Sequence, residues 1–178
     1  MVYVFLADGF EIIEALAPVD MLQRAKVDVK TVGVTGKTVR SSGGIEVNAD
    51  LTKGELSYDN LDMIILPGGM PGTINLEADE TVNNYIDYCA ENGKYIAAIC
   101  AAPSILAHKG LLDGKKATCF PSFAGELKNA EYTAGAVERD GKIITSRGAG
   151  VCVKFGLECV RVLCSDDEAQ SIEKSIQA

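Results

Sequence analysis

The sequence predicts an α/β domain built on a mainly parallel sheet, and three observations carry that expectation. Short apolar, β-rich runs alternate with longer helical patterns, the order that successive βαβ units require. The runs are apolar throughout rather than at every second position, as in strands covered on both faces. A chain of 178 residues with 47% hydrophobic content is long enough for one sizeable core. A single domain over residues 1–178 is expected.

Val2 to Leu6 reads as the first strand, followed by a helix over Glu11 to Ala25 and a second strand over Val27 to Val34. Val39 to Val47, with Gly43-Gly44 inside it, has the pattern of a β-hairpin. Met63 to Leu66 is a strand that ends in the tight loop Pro67-Gly68-Gly69, and a helix over Glu80 to Asn92 closes at Gly93. Tyr95 to Ile99 is the next strand, and the helix after it, Ala102 to Lys109, closes at Gly110. Ala136 to Ser146, turning at Asp140-Gly141, reads as a second hairpin, and both hairpins are expected on the periphery of the sheet. Val151 to Cys164 is apolar enough for a buried helix, and Asp166 to Ala178 for a polar, amphipathic terminal one.

Composition narrows the function classes. Lys+Arg of 17 against Asp+Glu of 25 gives a net charge of −8, a field that repels phosphate backbones and anionic membranes. No nucleic-acid partner is expected. Met1 to Leu6 lacks a basic leader and runs straight into Asp8-Gly9, so it reads as a strand and not a signal peptide. No apolar run approaches the roughly 18 residues of a membrane span, and a cytoplasmic protein is expected. The six cysteines are scattered without a Cys-x-x-Cys pair, which signals neither a metal site nor a disulfide framework. Ala7-Asp8-Gly9-Phe10 follows the first strand where a nucleotide-binding Gly-x-Gly-x-x-Gly would stand, so no cofactor is expected.

Ligands of open α/β sheets bind beyond the carboxyl ends of the strands, which directs attention to Asp8 to Glu14, Pro67 to Gly69 and Cys100. Cys100 stands between an apolar strand and a helix that opens with Pro103, flanked by Ala98, Ala101 and Ala102, which leave room for a sharp nucleophile turn. Backbone N–H groups at a helix start favour thiolate, so a depressed Cys100 pKa is expected. Gly68 and Gly69, with the amide of Ala101, are candidate donors to a reacting oxygen. The single histidine, His108, lies about 12 Å along the following helix and cannot serve Cys100 as a base. Its expected place is at the helix C-terminus beside Gly110. Glu14 lies in a mostly apolar stretch, and burial would raise its pKa and make it a proton donor to the thiolate, with Glu11 the competing carboxylate. Cys119 is a candidate resolving thiol or a plain buried residue, and Cys152 and Cys159, seven apart, share a core-facing helix side.

These residues carry a resemblance. Gly9 to Asp20 with Glu14, Ile65-Leu66-Pro67-Gly68-Gly69, Ala97 to Pro103 around Cys100, and Thr145-Ser146-Arg147-Gly148 together resemble the PfpI/ThiJ superfamily, in its branch of the Parkinson-associated protein deglycase, as a bacterial-type member. The resemblance implies a flavodoxin-like three-layer sandwich and a homodimer with its site near the subunit interface. It implies Cys100 as nucleophile, Glu14 as its protonated partner, and Gly68, Gly69 and Ala101 as backbone donors. Arg24, Cys119, Phe120 and Arg147 would lie around them. The implied activity is that of a glyoxalase or deglycase acting on methylglyoxal or its adducts, the partner being a small reactive aldehyde. The alternative is an oxidative-stress sensor working through Cys100 sulfinate, the partner then being an oxidant. The human branch carries histidine where this chain has Phe120, and protease and amidotransferase relatives carry one where this chain has Ala101, so peptidase activity is not expected.

Overall fold

The computed structural model describes residues 1–178. Its elements in chain order are β1 (Val2–Leu6), α1 (Ile12–Arg24), β2 (Val29–Gly33), β3 (Thr38–Arg40), β4 (Glu46–Asn48), β5 (Leu51–Thr52), β6 (Met63–Leu66), α2 (Gly72–Ala78), α3 (Glu80–Glu91), β7 (Tyr95–Ile99), α4 (Pro103–His108), β8 (Lys116–Ala117), β9 (Glu131–Tyr132), β10 (Val137–Asp140), β11 (Ile143–Ser146), α5 (Cys152–Leu163) and α6 (Asp166–Ser175). Seven strands form one sheet in the order β10-β11-β7-β6-β1-β2-β5, with every pairing parallel except β10 with β11.

The period-two geometry of the strands sorts their side chains into two apolar layers. Val2, Val4 and Leu6 of β1 pack with Met21 and Leu22 of α1, Phe155 and Val160 of α5, and Ile172 of α6. Tyr3 and Phe5 of the same strand face Leu76 of α2, Ile86 of α3 and Leu106 of α4. The result is a flavodoxin-like sandwich of helices on both faces of a sheet. No helix is long and apolar enough to cross a membrane.

Both expected hairpins lie at the periphery, in different ways. β3 and β4 form a separate antiparallel pair, as the Val39–Val47 pattern implies. The second hairpin is the edge of the main sheet itself, β10 being the outermost strand, while β11 pairs in parallel with β7 and all four of its residues are buried. Covering both faces of Ile143 to Ser146 places the end of β11 beside the end of β7. That position matters for the site.

On one face α1 and α5 approach closely at Gly156. A Cβ there would lie 2.9 Å from both the Met21 Cγ and the Pro18 Cα. Glycine inside a helix costs roughly 0.5–1 kcal/mol against alanine, so the contact and not helix propensity accounts for it. Gly156→Val is expected to lower the stability by about 2 kcal/mol in urea or thermal unfolding, the overpacking outweighing the helical gain; an unchanged transition would contradict this packing.

Candidate active site

Four neighbouring parallel strands, β11, β7, β6 and β1, deliver the site residues past their carboxyl ends. After β7 the chain turns at Cys100, whose φ of +64° is the left-handed region that side chains rarely occupy. Two backbone bonds pin it there. The Cys100 N–H donates to the Ser146 carbonyl at the end of β11 (2.8 Å), and its own carbonyl accepts from the Phe120 N–H (2.8 Å). A residue held in such a conformation costs on the order of 1–3 kcal/mol, and the turn projects its thiol beyond the sheet.

Past β1, Glu11 caps α1 by accepting the Glu14 N–H at 2.9 Å, and its own N–H donates to the Gly68 carbonyl at 2.9 Å. This ties the start of α1 to the loop after β6. Glu14, one turn in, is 1% exposed and directed at Cys100. Its carboxyl accepts the Gly68 N–H at 3.1 Å and the Ala149 N–H, and it hydrogen-bonds to the Cys100 thiol. The sulfur in turn receives the N–H groups of Ala101 and Gly69.

Gly68 and Gly69 are needed here for space. A Cβ on Gly68 would lie 2.6 Å from both the Cys100 Cβ and the Glu14 Oε2. Gly69 has a φ of +94° and presses on the backbone of Gly9, Phe10 and Glu11. The three expected donors therefore divide: Gly69 and Ala101 serve the sulfur, while Gly68 serves Glu14.

The charge state differs from the expectation of a simple low-pKa thiol. Burial, followed by the charge and hydrogen bond of Glu14, pushes Cys100 up to about 12, against the downward pull of the Ala101 and Gly69 amides. Burial also raises Glu14 from 4.5 to about 7, against the bonds from Cys100, Gly68 and Ala149. The helix dipole does not rescue the thiol, because α4 starts only at Pro103 and has six residues. Two acids in contact titrate as a pair. The first proton leaves near 7, from Glu14, and the second only near 12, from Cys100, so between these values the pair carries one negative charge on the carboxyl and one proton on the sulfur.

The remaining candidates sort by position. Phe120 and Arg147, both exposed, line a cleft of about 390 Å³ with Pro121 and Gly148 to Val151. Gly148 joins this cleft to the pair: a Cβ on it would lie 3.5 Å from Phe120, 3.8 Å from the Glu14 Oε1 and 3.9 Å from the Cys100 Sγ. Arg24 is not brought to the site within the chain. It ends α1, roughly 15 Å along the axis from Glu14, and its guanidinium pairs with Asp20 at 2.9 Å. Cys119 packs in the layer of α2, α3 and α4, and its thiol donates to the Phe120 carbonyl at 3.3 Å, while Cys100 packs against the opposite layer. This placement opposes a resolving role.

His108 stands at the far end of α4 from Cys100, where it bridges Glu77 of α2 and, at 3.1 Å, Glu126 of the 3-10 turn over Pro121–Leu127. It stands in the last turn of α4 beside Gly110, as expected, and also makes this bridge, its pKa rising through the bonds to Glu77 and then Glu126. The Ala149 amide is the donor that sequence reasoning missed. Its signal was present, since Gly148-Ala149-Gly150 follows a strand end as Gly68-Gly69 does.

A family model described as the DJ-1/PfpI family matches residues 1–162. The protein dj-1beta of Drosophila melanogaster is 33% identical over 176 residues, covering 97% of this chain and 94% of its own, and the crystal structure of Drosophila DJ-1beta superposes with a TM-score of 0.95 at 32% identity over 99% and 97% of the two chains. The oxidized structure of Toxoplasma gondii DJ-1 superposes with a TM-score of 0.93 at 33% identity, covering 99% of this chain and 97% of that one. A deglycase of Thermococcus kodakarensis is 30% identical over 164 residues, 91% of this chain and 98% of the relative.

The raised Glu14 pKa has a stability consequence of definite sign. A carboxyl whose folded pKa exceeds its unfolded one loses stability as pH rises from the unfolded value to the folded value, here from 4.5 to about 7. The wild type is expected to lose about 3 kcal/mol over that interval, and Glu14→Gln to lose much less. Urea unfolding at pH 5 and pH 8 measures both, and parallel profiles for the two proteins would contradict the burial of an ionisable group at this position.

Proposed function

Since the chain belongs to the DJ-1/PfpI family, we propose that it is a cysteine-dependent glyoxalase or deglycase acting on methylglyoxal or its adducts with thiols and amines. One observation carries this reading: a thiol on a positive-φ turn touches a buried carboxyl that ionises near neutral pH, where it can accept the thiol's proton. A relative of almost the same matched span is named a deglycase.

Glu14, ionising near 7, takes the thiol proton as the Cys100 sulfur adds to the aldehyde carbon. A C–S bond forms, the aldehyde oxygen takes the proton from Glu14, and a hemithioacetal results. Glu14, now a carboxylate, removes the hydrogen from that same carbon and returns it to the neighbouring carbon, while the hydroxyl proton passes to the former ketone oxygen. The sulfur-bearing carbon becomes a thioester carbonyl. Water then cleaves the thioester, releasing lactate and restoring the thiol. The amides of Gly69 and Ala101 stand where negative charge collects beside the sulfur.

Phe120 exchanges no protons, so the transfers fall to Glu14 and water, and Ala101 after the nucleophile leaves no peptidase relay. Arg147, exposed and without a carboxylate partner, lines the cleft through which a substrate reaches the sulfur. A homodimer belongs to the same reading: Ile13 of α1 and Ile45 of the β3–β4 turn stand exposed on the side where the Phe10–Ser41 bridge joins these segments.

A second reading is favoured by the same donors and by the oxidized state in which one relative was crystallised. Two equivalents of peroxide, each reduced to water, would convert the Cys100 thiolate to a sulfinate, which the Gly69 and Ala101 amides and the protonated Glu14 would hold. Steady-state lactate release from methylglyoxal separates the two. Turnover is expected to fall about 100-fold or more in Cys100→Ala and Glu14→Gln. No turnover in the wild type, with a mass gain of two oxygens on Cys100 under mild peroxide, would establish the sensor instead.

A further inference from the structure

The amino ends of the strands, on the edge of the sheet opposite Cys100, carry a feature that the chemistry of Cys100 does not use. Ile96 is the second residue of β7 and Ile143 opens β11, and the two are partners in the ladder. Together with Ala90 at the end of α3 and Leu111 beyond α4, they floor a hollow of about 280 Å³. Lys94, Lys115 and Lys142 stand around it. A second hollow of about 420 Å³, lined by Tyr95, Val27 and Val162 among others, shares Lys94 and Lys142 as its wall.

The charges at this edge lack matching partners. Neither Lys94 nor Lys142 has a carboxylate within ion-pairing distance, and Lys115 has only Asp140 at 3.7 Å. Asp62, the acid of the adjoining hollow, is engaged by the N-terminal ammonium at 2.7 Å. Lys142 is positioned by Tyr95, its Nζ standing 3.9 Å from the ring centroid. In a chain of net charge −8, three cations gathered over an apolar floor form a local reversal of the field.

We propose that this hollow is a second ligand site, and that it takes a small amphipathic anion: one aromatic ring, two fused rings or a short acyl chain, bearing a carboxylate. The apolar portion lies on Ala90, Ile96, Leu111 and Ile143, and the carboxylate meets Lys94 and Lys142, with Lys115 at the rim. The volume sets the size limit, since at about 280 Å³ it falls just below the roughly 300–1,000 Å³ that ligand pockets occupy. Asp140 opposes dianions at the Lys115 side, which favours a single carboxylate.

Sodium 1-naphthoate and its uncharged analogue 1-naphthalenemethanol test the proposal by amide chemical-shift titration. The naphthoate is expected to bind saturably, with the largest shifts at Gly93, Lys94, Lys142 and Ile143, and the alcohol about tenfold more weakly. Lys94→Glu and Lys142→Glu are each expected to weaken naphthoate about tenfold, Lys142→Gln less in the same direction, and all three to alkylate Cys100 at the wild-type rate. Equal binding of acid and alcohol, shifts centred on Phe120 and Arg147, or no saturation by about 10 mM would overturn it.

Discussion

A carboxyl and a thiol held in contact away from water can carry one negative charge between them and resist a second. That constraint governs the site of this protein. Burial alone would keep both Cys100 and Glu14 neutral, and four backbone N–H groups, from Gly68, Ala149, Gly69 and Ala101, make a single charge tolerable. The balance places the first ionisation of the pair near 7, where a proton can be given and taken back with little change in conditions.

The fold supplies this arrangement through its parallel topology. Because β11, β7, β6 and β1 are neighbours running in one direction, the loops at their carboxyl ends meet in one place. The donors come from backbone, which is fixed by the strands beneath it and reorganises little when charge moves. Glycine is required wherever two of these loops touch, at Gly68 against Cys100 and Glu14, and at Gly69 against the start of α1. The strained turn at Cys100 is held by bonds from its neighbours in space, Ser146 and Phe120, rather than by its own helix. The opposite edge of the same sheet has no such convergence of loops, and there side chains, the lysines, set the character of the surface.

Much of this was legible in the residues. Continuous apolar runs located β1, β6 and β7, and the turn after β7 was marked by Cys100 between small residues with Pro103 following. Glu14 drew attention as a charge in an apolar stretch, and its 1% exposure gives that oddity its meaning. Other features had no local signature. β8 and β9 are two residues each and exist only by pairing with one another, and α2 opens in the Pro71-Gly72 stretch that local pattern reads as loop. The parallel partner of β11 lies more than forty residues away in sequence, so Ala136 to Ser146 resembled an isolated hairpin. The sign of the Cys100 shift was missed for an electrostatic reason: position at a helix start was visible, while the desolvation that outweighs it depends on both core layers.

The coupling of the two acids is tested most directly by the pH dependence of Cys100 alkylation in the wild type and in Glu14→Gln. Alkylation follows the thiolate, so the wild type is expected to show a midpoint pushed up to about 12, by burial and then by the charge and hydrogen bond of Glu14. Glu14→Gln removes that charge and leaves the burial, so its midpoint is expected below that of the wild type and above the roughly 8.5 of a free cysteine. Identical midpoints in the two proteins would mean that the charge on Glu14 does not act on Cys100.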